Sequence, residues 1–213
     1  MFEALLSAIT LPHLRALGPS DQELVDRFRG GDRRAFDEIV HRYRDRVYTL
    51  CLRWLDDPEG AEEIAQDVWI ALFRSLPSFR GEAQLSTWIF KVTVNHCKNR
   101  RSYRRRRGWG RTEALGPARD EEDVPERQIA DEGAQTDLRV HSKEAERLVG
   151  EALAALDEDH RQVLLLRDVE DLPYEDIAEI LDIPRGTVKS RIHRARAELA
   201  SVLARRIRPQ DVV

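Results

Sequence analysis

The chain is poor in cysteine: Cys51 and Cys97 are the only two in 213 residues. Neither lies in a CxxC pair, and the six histidines make no ligand-spaced cluster with them. That pattern argues against a disulfide framework and a zinc site, and it suits a reducing cytoplasm. No apolar run approaches the ~20 residues of a membrane span, so no membrane insertion is expected. The start, MFEALLSAITLPHL, is short and amphipathic with no basic head, unlike a secretory signal. No segment alternates apolar and polar residues for long, so strands are not expected. Helix formers dominate, and the expected fold class is all-α. With 35% charged and 7% aromatic residues, the chain can bury two modest cores but not one large one.

What is present is organised around residues 160–199. Val188, Ile192, Ala195, Leu199 and Leu203 recur at steps of three and four, which makes one apolar stripe on a helix. Gly186, Ser190, His193, Arg194 and Ala197 fall opposite, with Lys189 at the edge. A shorter helix before it carries Ile177, Ala178, Ile180 and Leu181. Small Ala178 allows a close crossing, Ile183 is placed to plug the turn, and Pro184 suits a first helical turn. The pattern predicts a helix-turn-helix with a recognition helix near 184–203. An ordinary helical hairpin with a solvated basic face fits the same pattern.

Net charge is −4, which is unexpected for a nucleic-acid binder, but the charges are segregated. Residues 98–107, KNRRSYRRRR, hold one lysine and six arginines, whereas 120–137 are strongly acidic. Earlier in the chain, Ser20 and Glu23 form a capping-box pair that starts a helix ending at Gly30 and Gly31. Asp32 can cap a second helix, roughly 33–55, whose apolar side includes Phe36, Ile39, Val40, Tyr43, Val47, Leu50, Cys51 and Trp54. Asp56, Asp57 and Pro58 end it and cap a third, about 58–76, with Pro58 at its first position. Its Trp69, Ile70 and Phe73 spread apolar surface past one face, beside Gln66 and Asp67. Deep burial and a partner-binding surface both explain this.

A loop at 79–84 leads into a fourth helix, about 85–107, that is apolar on two sides. Its narrow polar stripe, Thr87, Lys91, Asn95 and Lys98, runs into the arginine cluster and suits a nucleic-acid backbone; a solvated face is the alternative. Residues 108–141, acidic and interrupted by Gly and Pro, read as a flexible linker able to span on the order of 100 Å when extended. The expected layout is an extension at 1–19, a helical domain at 20–107, the linker, and a second helical domain at 142–207 whose first helix Ser142 can cap.

Four stretches in order carry a resemblance: AEEIAQDVWIALFRSL (61–76), FRGEAQLSTWIFKVTVNHCKNRRSYRR (79–105), LAALDEDHRQVLLLRDVEDL (153–172) and LPYEDIAEILDIPRGTVKSRIHRARAEL (172–199). Together they resemble bacterial RNA polymerase sigma factors of the extracytoplasmic-function (ECF) group, over roughly residues 20–204. The resemblance implies two small helical domains, sigma region 2 and sigma region 4, joined by the acidic linker. It implies no enzymatic activity and no cofactor.

Carried over, Gln66, Asp67, Ile70 and Phe73 would meet the β′ clamp helices of core RNA polymerase. Arg80, Gly81 and Gln84 would hold a flipped −10 base, with Thr87, Lys91, Asn95 and Lys98 along the −10 DNA. Arg185, Gly186 and Thr187 would meet −35 phosphates, and Lys189, Ser190, His193 and Arg194 the −35 major groove. The second domain would dock on the β flap, and an anti-sigma factor would hold the protein inactive. Pro173 departs from the family, standing where a capping Ser is frequent. Asp182 stands at a turn position often held by Gly, although Asp tolerates the left-handed conformation. The rivals are a stand-alone dimeric helix-turn-helix regulator, and an enzyme using His96 and Cys97. Adjacent helical residues point about 100° apart, which disfavours the second rival.

Overall fold

The computed structural model describes residues 18–107 and 147–206. The linker at 108–141, the Ser142 cap and most of the N-terminal extension lie outside the described residues. Among the described residues the secondary structure is helical and no strand occurs.

The N-terminal unit holds α1 (Asp21–Arg29), α2 (Arg34–Leu55), α3 (Pro58–Ser75), a 3-10 turn (Leu76–Ser78) and α4 (Leu85–Arg106). The capping box at α1 forms as expected: Ser20 Oγ accepts from the Glu23 amide at 3.2 Å, and Glu23 accepts from the Ser20 amide at 2.6 Å. Asp32 receives the Arg34 amide at 3.0 Å and so caps the entry to α2. Asp56 ends α2 in the left-handed conformation, φ 52°. Asp57 differs from expectation. It precedes α3 without a side-chain cap, because its carboxylate turns to Arg104 at 3.0 Å. Trp54, Phe90, Leu50, Leu72 and Ile89 are fully buried where the helices meet. Each such side chain contributes roughly 1.5–3 kcal/mol of transfer free energy.

In the C-terminal unit residues 147–154 are helical and are called α5. Then come α6 (Glu158–Leu164), a wider π turn (Leu165–Val169), α7 (Tyr174–Leu181) and α8 (Arg185–Arg206). Asp157 caps α6 by accepting from the Asp159 amide at 3.0 Å. The π turn was not apparent from periodicity. It accompanies five consecutive buried residues, Gln162 to Leu166, more than one face of a regular α-helix can hide. The helix-turn-helix forms as read. The stripe Val188, Ile192, Ala195, Leu199 and Leu203 is buried, and Ala178 and Ile183 pack against the core. Asp182 takes φ 58° at the turn, and Pro184 stands just before α8, its carbonyl accepting the Thr187 and Val188 amides. Pro173 supplies no side-chain cap to α7.

The two units touch. Helix α4 packs along α7, and Arg46 of α2 reaches Glu170 just after the π turn.

Candidate nucleic-acid and partner interfaces

The first surface lies on α3. Val68 and Leu72 face inward, which turns Gln66, Asp67, Ile70 and Phe73 outward together. Ile70 is 50% exposed and Phe73 40%. Phe73 is nevertheless fixed: its ring meets Phe28 at 5.4 Å and Phe36 at 5.1 Å, both edge-on. Trp69 sits edge-on to Phe36 at 6.3 Å and is partly buried. The surplus apolar surface therefore divides, with Trp69 joining the core while Ile70 and the rim of Phe73 stay open. A rigid aromatic with one edge exposed costs little entropy to dock.

The second surface is the loop at 79–84 and the polar edge of α4. Phe79 is buried and its ring lies 5.0 Å from that of Trp88, which anchors the loop. Arg80, Gly81 and Gln84 are exposed beyond that anchor. Gly81 has φ +74°, a conformation that would strain other residues. Phe79, Arg80, Trp88 and Lys91 line a cavity of about 250 Å³, and Glu179 of α7 closes one side of it.

Along α4, Asn95 is exposed but its three companions are engaged. Thr87, 2% exposed, donates to Asp176 at 2.6 Å. Lys91 meets Glu179 at 2.6 Å. Lys98 reaches the carbonyls of Ile180 and Leu181 at 3.4 and 3.5 Å. Burial pushes the Lys98 ammonium below its ordinary value, and nearby Asp182 pulls it partly back. The sequence placed these groups on one stripe correctly but gave no sign of what would face them.

The third surface is α8. Arg185, Gly186, Lys189, Ser190, His193 and Arg194 are all exposed, with Thr187 half-buried at the helix start. Arg185 forms an exposed ion pair with Glu175 at 2.9 Å. Ser190 donates to the Thr187 carbonyl at 3.0 Å. The flank of α8 is tied to its own unit: Arg191 to Asp159 at 2.6 Å, and Arg196 to Asp168 at 3.1 Å. These ties fix the helix while leaving its outer face clear. Sequence reasoning missed Asp159 and Asp168, because their partners lie some thirty residues away and no local spacing reveals them.

Arg46 and Glu170 were also missed. Arg46 Nε donates to Glu170 at 2.8 Å, and its guanidinium lies 4.8 Å from the Phe90 ring centroid. Burial pushes the Glu170 carboxyl above its ordinary value, with Arg46 and Arg53 pulling the other way without cancelling it.

His96 and Cys97 do not make a nucleophilic pair. Cys97 is fully buried with its Sγ 3.8 Å from that of Cys51, and this contact together with burial raises its thiol far above the ordinary range. Among the described residues no group of three or more His, Cys, Asp or Glu side chains is placed to hold a metal. None of the described helices is long and apolar enough to cross a membrane.

Fold and surfaces together define a two-unit, all-helical protein bearing a helix-turn-helix. Residues 39–109 match the family model for sigma-70 region 2, and residues 146–199 that for sigma-70 region 4. The chain is 35% identical over 183 residues to the RNA polymerase sigma-H factor of Pseudomonas aeruginosa, covering 86% of this chain and 93% of that one. It is also 35% identical over 189 residues to the ECF RNA polymerase sigma-E factor of Haemophilus influenzae, covering 83% and 92%. In fold it is similar to the sigma factor RpoE of Bartonella quintana, solved with the anti-sigma factor NepR (TM-score 0.59, 21% identity, 79% of this chain and 96% of that one). It is likewise similar to CnrH, solved with the cytosolic domain of CnrY (TM-score 0.58, 20% identity, 86% and 97%). This chain therefore belongs to the ECF group of RNA polymerase sigma factors.

Proposed function

We propose that this sigma factor directs promoter-specific initiation by dividing the work between its units. The N-terminal unit, residues 20–107, docks on the β′ clamp helices of core RNA polymerase through Gln66, Asp67, Ile70 and Phe73. Its loop residues Arg80, Gly81 and Gln84 take the unstacked −10 base, while Thr87, Lys91, Asn95 and Lys98 follow the −10 strand. Extruding a base costs a few kcal/mol, so a pocket that accepts only the unstacked base couples reading to melting. The C-terminal unit, residues 142–207, docks on the β flap and reads the −35 element with Lys189, Ser190, His193 and Arg194. Arg185, Gly186 and Thr187 position α8 on the phosphates. Two weak sites joined by the 108–141 tether gain affinity through effective concentration once polymerase fixes their separation.

The observation that carries this reading is the exposed group Gln66, Asp67, Ile70 and Phe73 on α3. A stand-alone helix-turn-helix regulator has no use for that patch. The chain works in the cytoplasm, as its polymerase partner requires, and performs no chemistry of its own. An anti-sigma factor restrains it, a reading supported by the similar sigma factor RpoE, which was solved bound to the anti-sigma factor NepR. Co-elution with core RNA polymerase, followed by run-off transcription from a promoter library, tests the proposal. The expected result is a stable complex and transcripts sharing −35 and −10 sequences. Tight operator binding by the free protein without polymerase association would overturn it.

A further inference from the structure

Beside the α3 patch, the end of α1 and the end of α3 enclose an open groove of about 570 Å³. Phe28, Phe73 and Pro77 make it apolar, and Arg29, Arg33 and Arg74 stand round it, with no carboxylate in the lining. All three arginines are exposed. Arg29 meets Asp26 at a loose 3.6 Å, and among the described residues no carboxylate meets Arg33 or Arg74. Ile70, three residues before Phe73, extends the apolar surface past the groove. An apolar floor with a cationic rim fits an amphipathic helix that carries a carboxylate at its flank.

The chain has such a segment, outside the described residues. Phe2, Leu5, Leu6 and Ile9 recur at i, i+3, i+4 and i+7, the anchor spacing of a helix that lies in a groove. Ala4, Ser7 and Ala8 fall on the opposite side. Glu3 falls at the edge of the apolar face, where a rim arginine can meet it. Pro12 ends the pattern. The reach is sufficient. The Pro19 carbonyl accepts from Arg42 at 2.8 Å, so the segment joins the fold at a fixed point just before α1. The groove lies at the other end of α1, nine residues or about 13.5 Å away. Residues 12–18 extended span about 23 Å, and Gly18 and Pro19 suit a reversal of the chain.

We propose that residues 2–11 dock in this groove as a helix, with the apolar face against Phe28, Phe73 and Pro77 and with Glu3 at the arginine rim. The tether makes a weak contact enough. At an effective concentration on the order of 1 mM, a dissociation constant on the order of 0.1 mM leaves the docked form about tenfold in excess. Docking covers the open edge of Phe73. Core polymerase then has to displace the segment, a consequence that rests on the reading of the α3 patch as the polymerase surface.

The test uses the full-length protein. Hydroxyl-radical footprinting read by mass spectrometry reports solvent access to Phe73, with buried Trp54 as the folding control. The variant L5D/I9D places two carboxylates in the apolar face. The control A4D/A8D places the same charge on the opposite side. Phe73 is expected to oxidise about tenfold faster in L5D/I9D than in the unaltered chain, and at the unaltered rate in A4D/A8D. Equal oxidation in the unaltered chain and L5D/I9D overturns the proposal. So does protection that fades on dilution, which would put a second copy in the groove. The polymerase consequence fails separately: if L5D/I9D exposes Phe73 but binds core polymerase no tighter, the docking stands and the reading of the α3 patch falls.

Discussion

The two surfaces assigned to DNA differ in one respect. The outer face of α8 is open, whereas the polar edge of α4 is covered by the neighbouring unit. Both carry cationic and hydrogen-bonding side chains at helical spacing. What separates them is the occupant. The α8 face is kept clear by Asp159 and Asp168, which hold Arg191 and Arg196 to the side. The α4 edge is satisfied by Asp176 and Glu179. On the proposed assignment, duplex reading at −35 would need no rearrangement, while strand capture at −10 would. That order suits a factor whose second step is melting.

The strongest way to break this comparison is to remove Arg46. Breaking a buried pair by losing one partner costs about 3–5 kcal/mol. The raised Glu170 carboxyl can protonate, so the lower end of that range is expected for R46A. Denaturant titration should show reduced stability and separate transitions for the two units; an unchanged single transition would mean that Arg46 does not clasp them.

R194A acts on the open side. Loss of a base-edge contact should reduce discrimination between −35 sequences by about 1–3 kcal/mol and leave single-strand binding unaltered. Competition between −35 duplexes in the polymerase-bound state measures it, and equal loss on all sequences would demote Arg194 to a phosphate contact.

A smaller effect follows from Glu170. Its carboxyl is pushed above the ordinary range where the two units meet, so ionisation opposes their contact. The contribution of the protonated form is fully present below the ordinary carboxylate pKa, and it is lost as pH rises through the raised one. Arg46 and Arg53 face the group and oppose the shift. Scattering profiles across mildly acid to neutral pH should show the chain expanding as pH rises, a response that E170Q should lack.

The smallest perturbation is S20A. Loss of the cap costs about 1 kcal/mol of stability in the N-terminal unit. Glu23, held below its ordinary value by the Ser20 amide and hydroxyl, would return towards it in S20A. The relative exposure of α4 and α8 should not change, as hydrogen exchange along both helices can check.

Much of this was legible because single helices announce their faces. The spacing from Val188 to Leu203 placed both the buried stripe and the open face of α8, whereas on α3 it left burial and an exposed surface both open for Ile70 and Phe73, and the structure exposes both. Burial of Cys97 against Cys51 agrees with its reading as a core residue. The covering of α4 was not legible. Thr87 and Asp176 are 89 residues apart, and a polar stripe has the same pattern whether water, phosphate or a carboxylate meets it. Asp57 was misread for a related reason: local spacing suggested a cap, and a distant arginine captured the carboxylate. The π turn escaped because periodicity assumes a regular helix.

The central claim is that the two units work at separate sites on polymerase. Energy transfer between dyes at Asp45→Cys and Ser201→Cys, both exposed positions, would follow the two units directly. The account predicts efficient transfer in the free chain and a marked fall when core RNA polymerase is added, before any DNA. Transfer that is the same in the free and polymerase-bound chain would contradict it.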